Sequence, residues 1–451
     1  MDLKTADVRK AYFKYLCPSL FSGLVMSMYS LVDMVVVGQY EGSNGTAALA
    51  CIAPFWAFFC CLSVLFGNGG AVLFSIAKGK GDQKDSCLAF TISFILICTV
   101  TALVWGVIFF FDEPLLRVCG ANDSIMPLAL RYMKWLKIGI PLWPLGYFLG
   151  MFVRNDGSPA LVGIATACGG LFNVFGDFFL TFTCDLGIEG AAIATVAGQA
   201  VVFVIQMVHF FGAGNTIAFV KVRTFFSLSR SIISIGFSSF LCSVGMGVLV
   251  ILFNNQITRC LGGNALAVYG VASNLFTLLQ TFSCGIGNAA QPIVGENLGA
   301  GQWKRVEQTK HLGSIAAFVI GGAAMLVCLV FPAQIVSLYM KTTPEILSMA
   351  PSILRQYFTC FLFVPFNVFT AYYLQAVKQV RASILVSVLH GVLLSGSFVY
   401  TFPLLFGANS IWLVMPCAEC ITAALALWLL RKKAAAGKRE GQTMAAVEES
   451  K

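Results

Sequence analysis

Residues 171–182 read LFNVFGDFFLTF, and they place a carboxylate, Asp177, inside a run that is apolar from Leu161 to Phe182 apart from small or amide-bearing residues. Asn173 stands four residues ahead, on the same face of a helix. A second acid, Asp33, lies in SMYSLVDMVVV (27–37), again without a nearby basic residue. Ionisable groups inside apolar spans are rare, costly and functional by default. Two carboxylates in a low-dielectric pocket are expensive to keep empty, so the chemistry they offer is capture of a small cation. Na⁺ wants several hard oxygens, and a proton wants one carboxylate oxygen; the residue types leave that choice open.

The elements that must position these acids follow from composition. Hydrophobic residues make up 58% of the 451 and charged residues 11%, with a mean hydropathy of +0.84. Soluble chains carry about a quarter charged residues, so the solvent for this chain is lipid. A membrane-crossing helix needs roughly 20 apolar residues. Twelve such segments are expected, at about 13–38, 47–76, 87–111, 126–152, 159–183, 188–212, 230–258, 265–294, 311–331, 346–376, 382–405 and 409–430. Backbone groups in lipid must satisfy one another, so the fold class is an all-α polytopic membrane protein.

Basic residues set the orientation. With the N-terminus in the cytoplasm, 22 of the 29 basic residues fall on the inner side, which puts both termini there. The outer side takes Arg117, Arg131, Lys134, Lys137, Arg259, Lys341 and Arg355. Three of these lie together in RYMKWLK (131–137), against the rule, and the sequence offers no account of them. The asymmetry explains the net charge of +9. Basic residues spread over loops do not make a nucleic-acid surface, so no nucleic-acid partner is expected. No cleavable signal is expected ahead of the first span. Most of the sixteen cysteines lie singly in apolar spans, where they act as small apolar side chains.

The chain repeats itself. GKGDQK (79–84) answers GAGQWKR (299–305), and FVRNDGSPALVG (152–163) answers QAVKQVRASILVS (375–387), at offsets of about 220 and 223 residues. Two six-helix bundles in the same membrane orientation are therefore expected: an N-terminal lobe at 1–212, a cytoplasmic connecting loop at 213–229, a C-terminal lobe at 230–431 and a polar cytoplasmic tail at 432–451. Parallel repeats of this kind are a transporter architecture with substrate handled near the midplane.

The motifs LVDMVVVGQYEGSNGTAALA (31–50), FVRNDGSP (152–159), QPIVGENLGAGQ (291–302) and LQAVKQVRASI (374–384), in this order, make the chain similar to the multidrug and toxic compound extrusion (MATE) family over almost its whole length. The resemblance implies two six-helix bundles around a central cleft that export cationic and amphipathic compounds against inward flow of Na⁺ or H⁺. It implies a cation site made of Asp33 from span one, Asn173 and Asp177 from span five, Thr195 from span six and the backbone carbonyl of Ala191. Pro18 falls where that family's first helix bends, which makes it the hinge candidate. No other cofactor is implied, and Na⁺, if used, would be held by Asp33, Asn173, Asp177 and Thr195.

Bland readings compete with each of these. Asp33 fits a hydrated helix end, Asn173 an interhelical hydrogen-bond linker, Thr195 a hydroxyl bonded to its own preceding turn, and Pro18 a tolerated kink. Tyr29, one turn before Asp33, is the substrate-lining candidate. Glu419 is the exceptional acid of the second half, either lining the substrate path or bonding neighbouring helices. Offset by 220 to 223, Asp33 and Asp177 land on uncharged stretches, so cation handling is expected in the first half alone.

The expected partners are small cationic or amphipathic molecules and membrane lipid; the expected state is a monomer in the plasma (inner) membrane. A lipid-linked precursor flippase is the alternative transporter. An intramembrane enzyme is the alternative from another class, since GKGD (79–82) resembles a membrane aspartyl protease motif. It lies in a charged loop, however, and returns as GAGQ without the acid.

Overall fold

The computed structural model describes residues 2–339 and 343–448, with side chains for all but residue 30 and residues 433–448. Lys341 and Lys451 lie outside the described residues, as do the side chains of Lys433, Lys438 and Arg439.

The elements are α1 (Val8–Lys80), α2 (Gln83–Val118), α3 (Met126–Gly139), α4 (Leu142–Asn155), α5 (Pro159–Phe178), α6 (Ile188–Met207), α7 (Phe225–Leu261), α8 (Gly263–Gly299), α9 (Trp303–Val330), α10 (Pro332–Tyr339), α11 (Pro344–Tyr357), α12 (Val364–Ala376), α13 (Val380–Val388), α14 (Leu394–Phe406) and α15 (Val414–Glu448). Among the described residues ten helices are long and apolar enough to cross a membrane, and α3 with α4 makes one further span bent by 45°. The 73-residue α1 holds two of the expected spans, because Gly42 breaks it at φ 69°, ψ −152°. That conformation is open to glycine and closed to most residues with a Cβ. The described helices thus accommodate all twelve spans. The stretch after Lys432 continues α15, because AAAGKRE and TMAAVE are rich in good helix formers.

Packing divides the chain into two compact units, Met1–Phe240 with Gln291–Ala300 and Leu241–Ala290 with Gly301–Lys451. The boundaries between the units fall within α7 and α8.

The first unit is cored by Phe74, Phe90, Phe148 and Phe152, whose rings meet in tilted and edge contacts. At one end of this unit Arg131 of α3 is clasped by Glu189 at 2.9 Å and Glu41 at 3.9 Å. At the opposite end Lys78 reaches Asp156 at 2.7 Å and Glu296 at 3.6 Å. The second unit is cored by Phe253, Tyr269, Phe276, Tyr357, Phe358, Phe361 and Trp412.

Candidate functional site

α5 begins with Pro159 at its first position, where a missing backbone N–H costs nothing. Midway it crosses α6 glycine to glycine: a Cβ at Gly169 would meet Gly198 O at 2.6 Å, and one at Gly198 would meet Gly169 O at 2.8 Å. No side chain fits between the backbones there. One turn above the crossing, that closeness brings Asn173 of α5 against Thr195 of α6.

Asn173 Nδ2 donates to Thr195 Oγ1 at 3.2 Å and to Asp177 Oδ1 at 3.3 Å. All three residues are buried, Asp177 completely. Asp33 on α1 lies within electrostatic range of Asp177. Buried oxygens are left without a hydrogen-bond partner on each of the acidic and amide residues: Asp33 Oδ1, Asn173 Oδ1 and Asp177 Oδ2. Neither carboxylate is in an ion pair among the described residues. Ala191 is fully buried one turn before Thr195. Asn173, Asp177 and Thr195 thus form one hydrogen-bonded group.

Tyr132 of α3 is a member that sequence reasoning missed. Its buried side chain hydrogen-bonds Thr195 and lies within electrostatic range of Asp33, Asp177 and Tyr29. An aromatic among so many in apolar spans carries no signal of its own. Tyr29 is close enough to feel both acids and Cys60, which places the lining candidate beside the cluster.

Pro18 sits within α1, whose one non-helical residue is Gly42. It packs on α5, where a Cβ at Gly163 would stand 3.1 Å from Pro18 Cβ, and its carbonyl accepts from Ser22 Oγ at 2.8 Å.

Glu419 belongs to the second unit and is fully buried. Its carboxylate meets His390 Nδ1 at 2.8 and 3.0 Å and accepts from Asn367 Nδ2 at 2.7 Å, while Asn367 also donates to the Glu419 carbonyl at 2.9 Å. His390 lies on the wide turn Leu389–Leu393 between α13 and α14. Glu419 therefore ties three spans together.

A second ionic cluster went unread in the sequence. Asp156 follows α4, and its carboxylate has contacts with Lys78 at 2.7 Å, His209 Nε2 at 2.8 Å, the Thr216 N–H at 2.7 Å and the Thr216 hydroxyl. Burial pushes this carboxyl upward, but the His209 and Thr216 hydrogen bonds and the Lys78 ammonium outweigh it and hold the group below its ordinary value.

The comparisons with known proteins point one way. The chain is 24% identical over 430 residues to the multidrug export protein MepA of Staphylococcus haemolyticus, covering 94% of each. It is 25% identical over 361 residues to the probable multidrug resistance protein YoeA of Bacillus subtilis, covering 75% of each. Its fold is similar to a multidrug resistance MATE family transporter of the MOP superfamily in an outward-facing conformation, with a TM-score of 0.89, 20% identity and coverage of 97% of this chain and 98% of that one. A MOP superfamily transporter from Pyrococcus furiosus matches with a TM-score of 0.88 at the same identity and coverage. The MatE family profile matches residues 18–179 and 237–401, one segment in each repeat half, and the chain belongs to that family of multi-pass multidrug transporters.

Proposed function

We propose that the protein is a secondary antiporter that exports cationic or amphipathic small molecules in exchange for H⁺ or Na⁺ bound at Asp33, Asn173, Asp177, Thr195 and the Ala191 carbonyl. The observation that carries this reading is the set of three orphaned buried oxygens, Asp33 Oδ1, Asn173 Oδ1 and Asp177 Oδ2, on residues with no basic partner among those described. Buried polar atoms are nearly always satisfied. An unpartnered carboxylate pair therefore fits a site that a small cation fills. The multidrug relatives support the cargo class, and acids in the spans favour positively charged cargo.

The chain's own residues supply the coupling. Without an ion, two carboxylates repel and are poorly solvated. With H⁺ or Na⁺ present, that cost is offset and α1 can close on α5 and α6, bending at Pro18, where a proline removes one backbone hydrogen bond. Tyr29 and Tyr132 lie against the acids, so cargo contacting these rings would sense the ion's arrival. Differential affinity of ion and drug for the two arrangements then gives exchange.

The test is ethidium efflux from cells and everted vesicles carrying the wild type, Asp33→Asn or Asp177→Asn at matched expression. Both variants are expected to lose efflux. Removing Na⁺, and separately collapsing the proton gradient, identifies the ion. Wild-type efflux in both variants would overturn the reading.

A further inference from the structure

We propose that the groove between the outer end of α2 and α3 is a binding site for an anionic phospholipid of the outer leaflet, with Lys134 contacting the headgroup phosphate. The groove measures about 520 Å³ and is lined by Trp105, Phe109 and Asp112 from α2 and by Leu130, Lys134 and Lys137 from α3. It lies on the face that the basic-residue asymmetry assigns to the outside, and it holds two of the three basic residues that break the asymmetry.

Those three residues fare differently. Arg131 is spent on Glu189 and Glu41. Lys137 is spent on Asp112 at 2.5 Å and on the Phe109 carbonyl at 3.2 Å, with its ammonium 5.3 Å from the Phe109 ring. Trp105 Nε1 donates to the Lys137 carbonyl at 2.7 Å, which fixes the groove's wall. Lys134 is exposed, one turn before Lys137 on the same face, and rests 5.6 Å from the Trp135 ring. Among the described residues no carboxylate comes within ion-pair distance of it. The charged side chains that line the groove, Lys134, Lys137 and Asp112, sum to one positive charge; Glu189, within electrostatic range of Lys134, is already paired with Arg131.

The surroundings choose the occupant. Phe109 and Ile138, 49% and 62% exposed, form an apolar stripe inside the groove, Ile138 lying one turn beyond Lys134 along α3. A lipid phosphate at Lys134 would lay its acyl chain along this stripe, with Trp105 at headgroup depth as interfacial tryptophans prefer. A soluble phosphate would use the lysine but not the stripe. Basic residues near a bilayer surface attract anionic lipids, and here the attraction is focused between two helices.

The experiment is native mass spectrometry of the full-length, delipidated protein given equimolar phosphatidylglycerol and phosphatidylethanolamine, with glycerol 1-phosphate as soluble competitor. The expected result is preferential retention of one phosphatidylglycerol, reduced about fivefold by Lys134→Gln, restored by Lys134→Arg and untouched by Lys80→Gln. Equal retention of the two lipids, or unchanged retention in Lys134→Gln, would overturn the proposal. Displacement by millimolar glycerol 1-phosphate would overturn the lipid assignment in favour of a free phosphate site. None of these readouts depends on transport, so they stand apart from the antiport reading.

Discussion

Asn173 bridges one helical turn to Asp177, its Nδ2 lying 3.3 Å from Oδ1, and each residue keeps one buried oxygen without a partner. The amide holds the acid in place without neutralising it. Asn173→Ala removes that donor while leaving the carboxylate. A hydrogen bond to a charged group contributes about 1.5–3 kcal/mol, so the ion concentration for half-maximal efflux is expected to shift about ten- to a hundredfold. Titrating efflux against Na⁺ and against pH measures it; an unchanged midpoint removes Asn173 from the site.

The His390–Glu419 couple predicts a stability pattern rather than an ion dependence. Its side chains are 2% and 0% exposed. His390→Leu strands a buried carboxylate and is expected to cost about 3–5 kcal/mol. Glu419→Met combined with His390→Leu is expected to recover most of that loss, because well-packed apolar residues often replace a buried pair neutrally. Thermal unfolding in detergent compares the two. The double variant, if folded, should keep the wild-type ion dependence of efflux; a changed one would give the second half a share in coupling.

Asp156 sets an acid limit. Its native carboxyl lies below the ordinary value of 3.8, so the folded form binds its proton less readily than the unfolded chain. The resulting stability is complete above the ordinary carboxylate range and is lost as pH falls through the depressed value. Asp156→Asn is expected to cost about 1–3 kcal/mol at pH 7, and the gap from wild type should narrow below about pH 4. Unfolding measured at both pH values checks it; a constant gap would show that the charge is not what matters.

The glycine crossing predicts coupling between two substitutions. A Cβ at Gly198 would stand 2.8 Å from Gly169 O and 3.0 Å from Asn173 Cβ, so Gly198→Ala must push α5 from α6. Overpacking of this sort costs about 1–3 kcal/mol, and the shift should also weaken the ion response. Adding Gly169→Ala is expected to cost less than its single effect, since the same gap is already opened. Strict additivity in unfolding measurements would deny that the two glycines share one contact.

The spans, the repeat and the first-half acids were legible because lipid leaves a strong trace in composition, and because Asp177 and Asn173 share a helical face whatever packs on it. Tyr132 was not legible, since its position depends on how α3 packs on α1 and α6. The pairing of His390 with Glu419 needed a tertiary contact across 29 residues. The contacts of Asp156 come from α1, the end of α6 and the connecting loop, and no local period announces them. Two of the three basic residues of RYMKWLK, Arg131 and Lys137, meet carboxylates from other helices, and no local spacing announces those pairs.

Among the described residues Asp33 and Asp177 have no basic partner, whereas Glu419 has His390 built beside it. Under the proposed antiport, a cation drawn to the first-half acids from the outer medium would move through part of the membrane's electric field. One elementary charge crossing all of it gains about 2.3 kcal/mol per 100 mV. Cell polarisation would then load the acid pair directly, and a de-energised cell would lose extrusion even where its surroundings are rich in the driving ion.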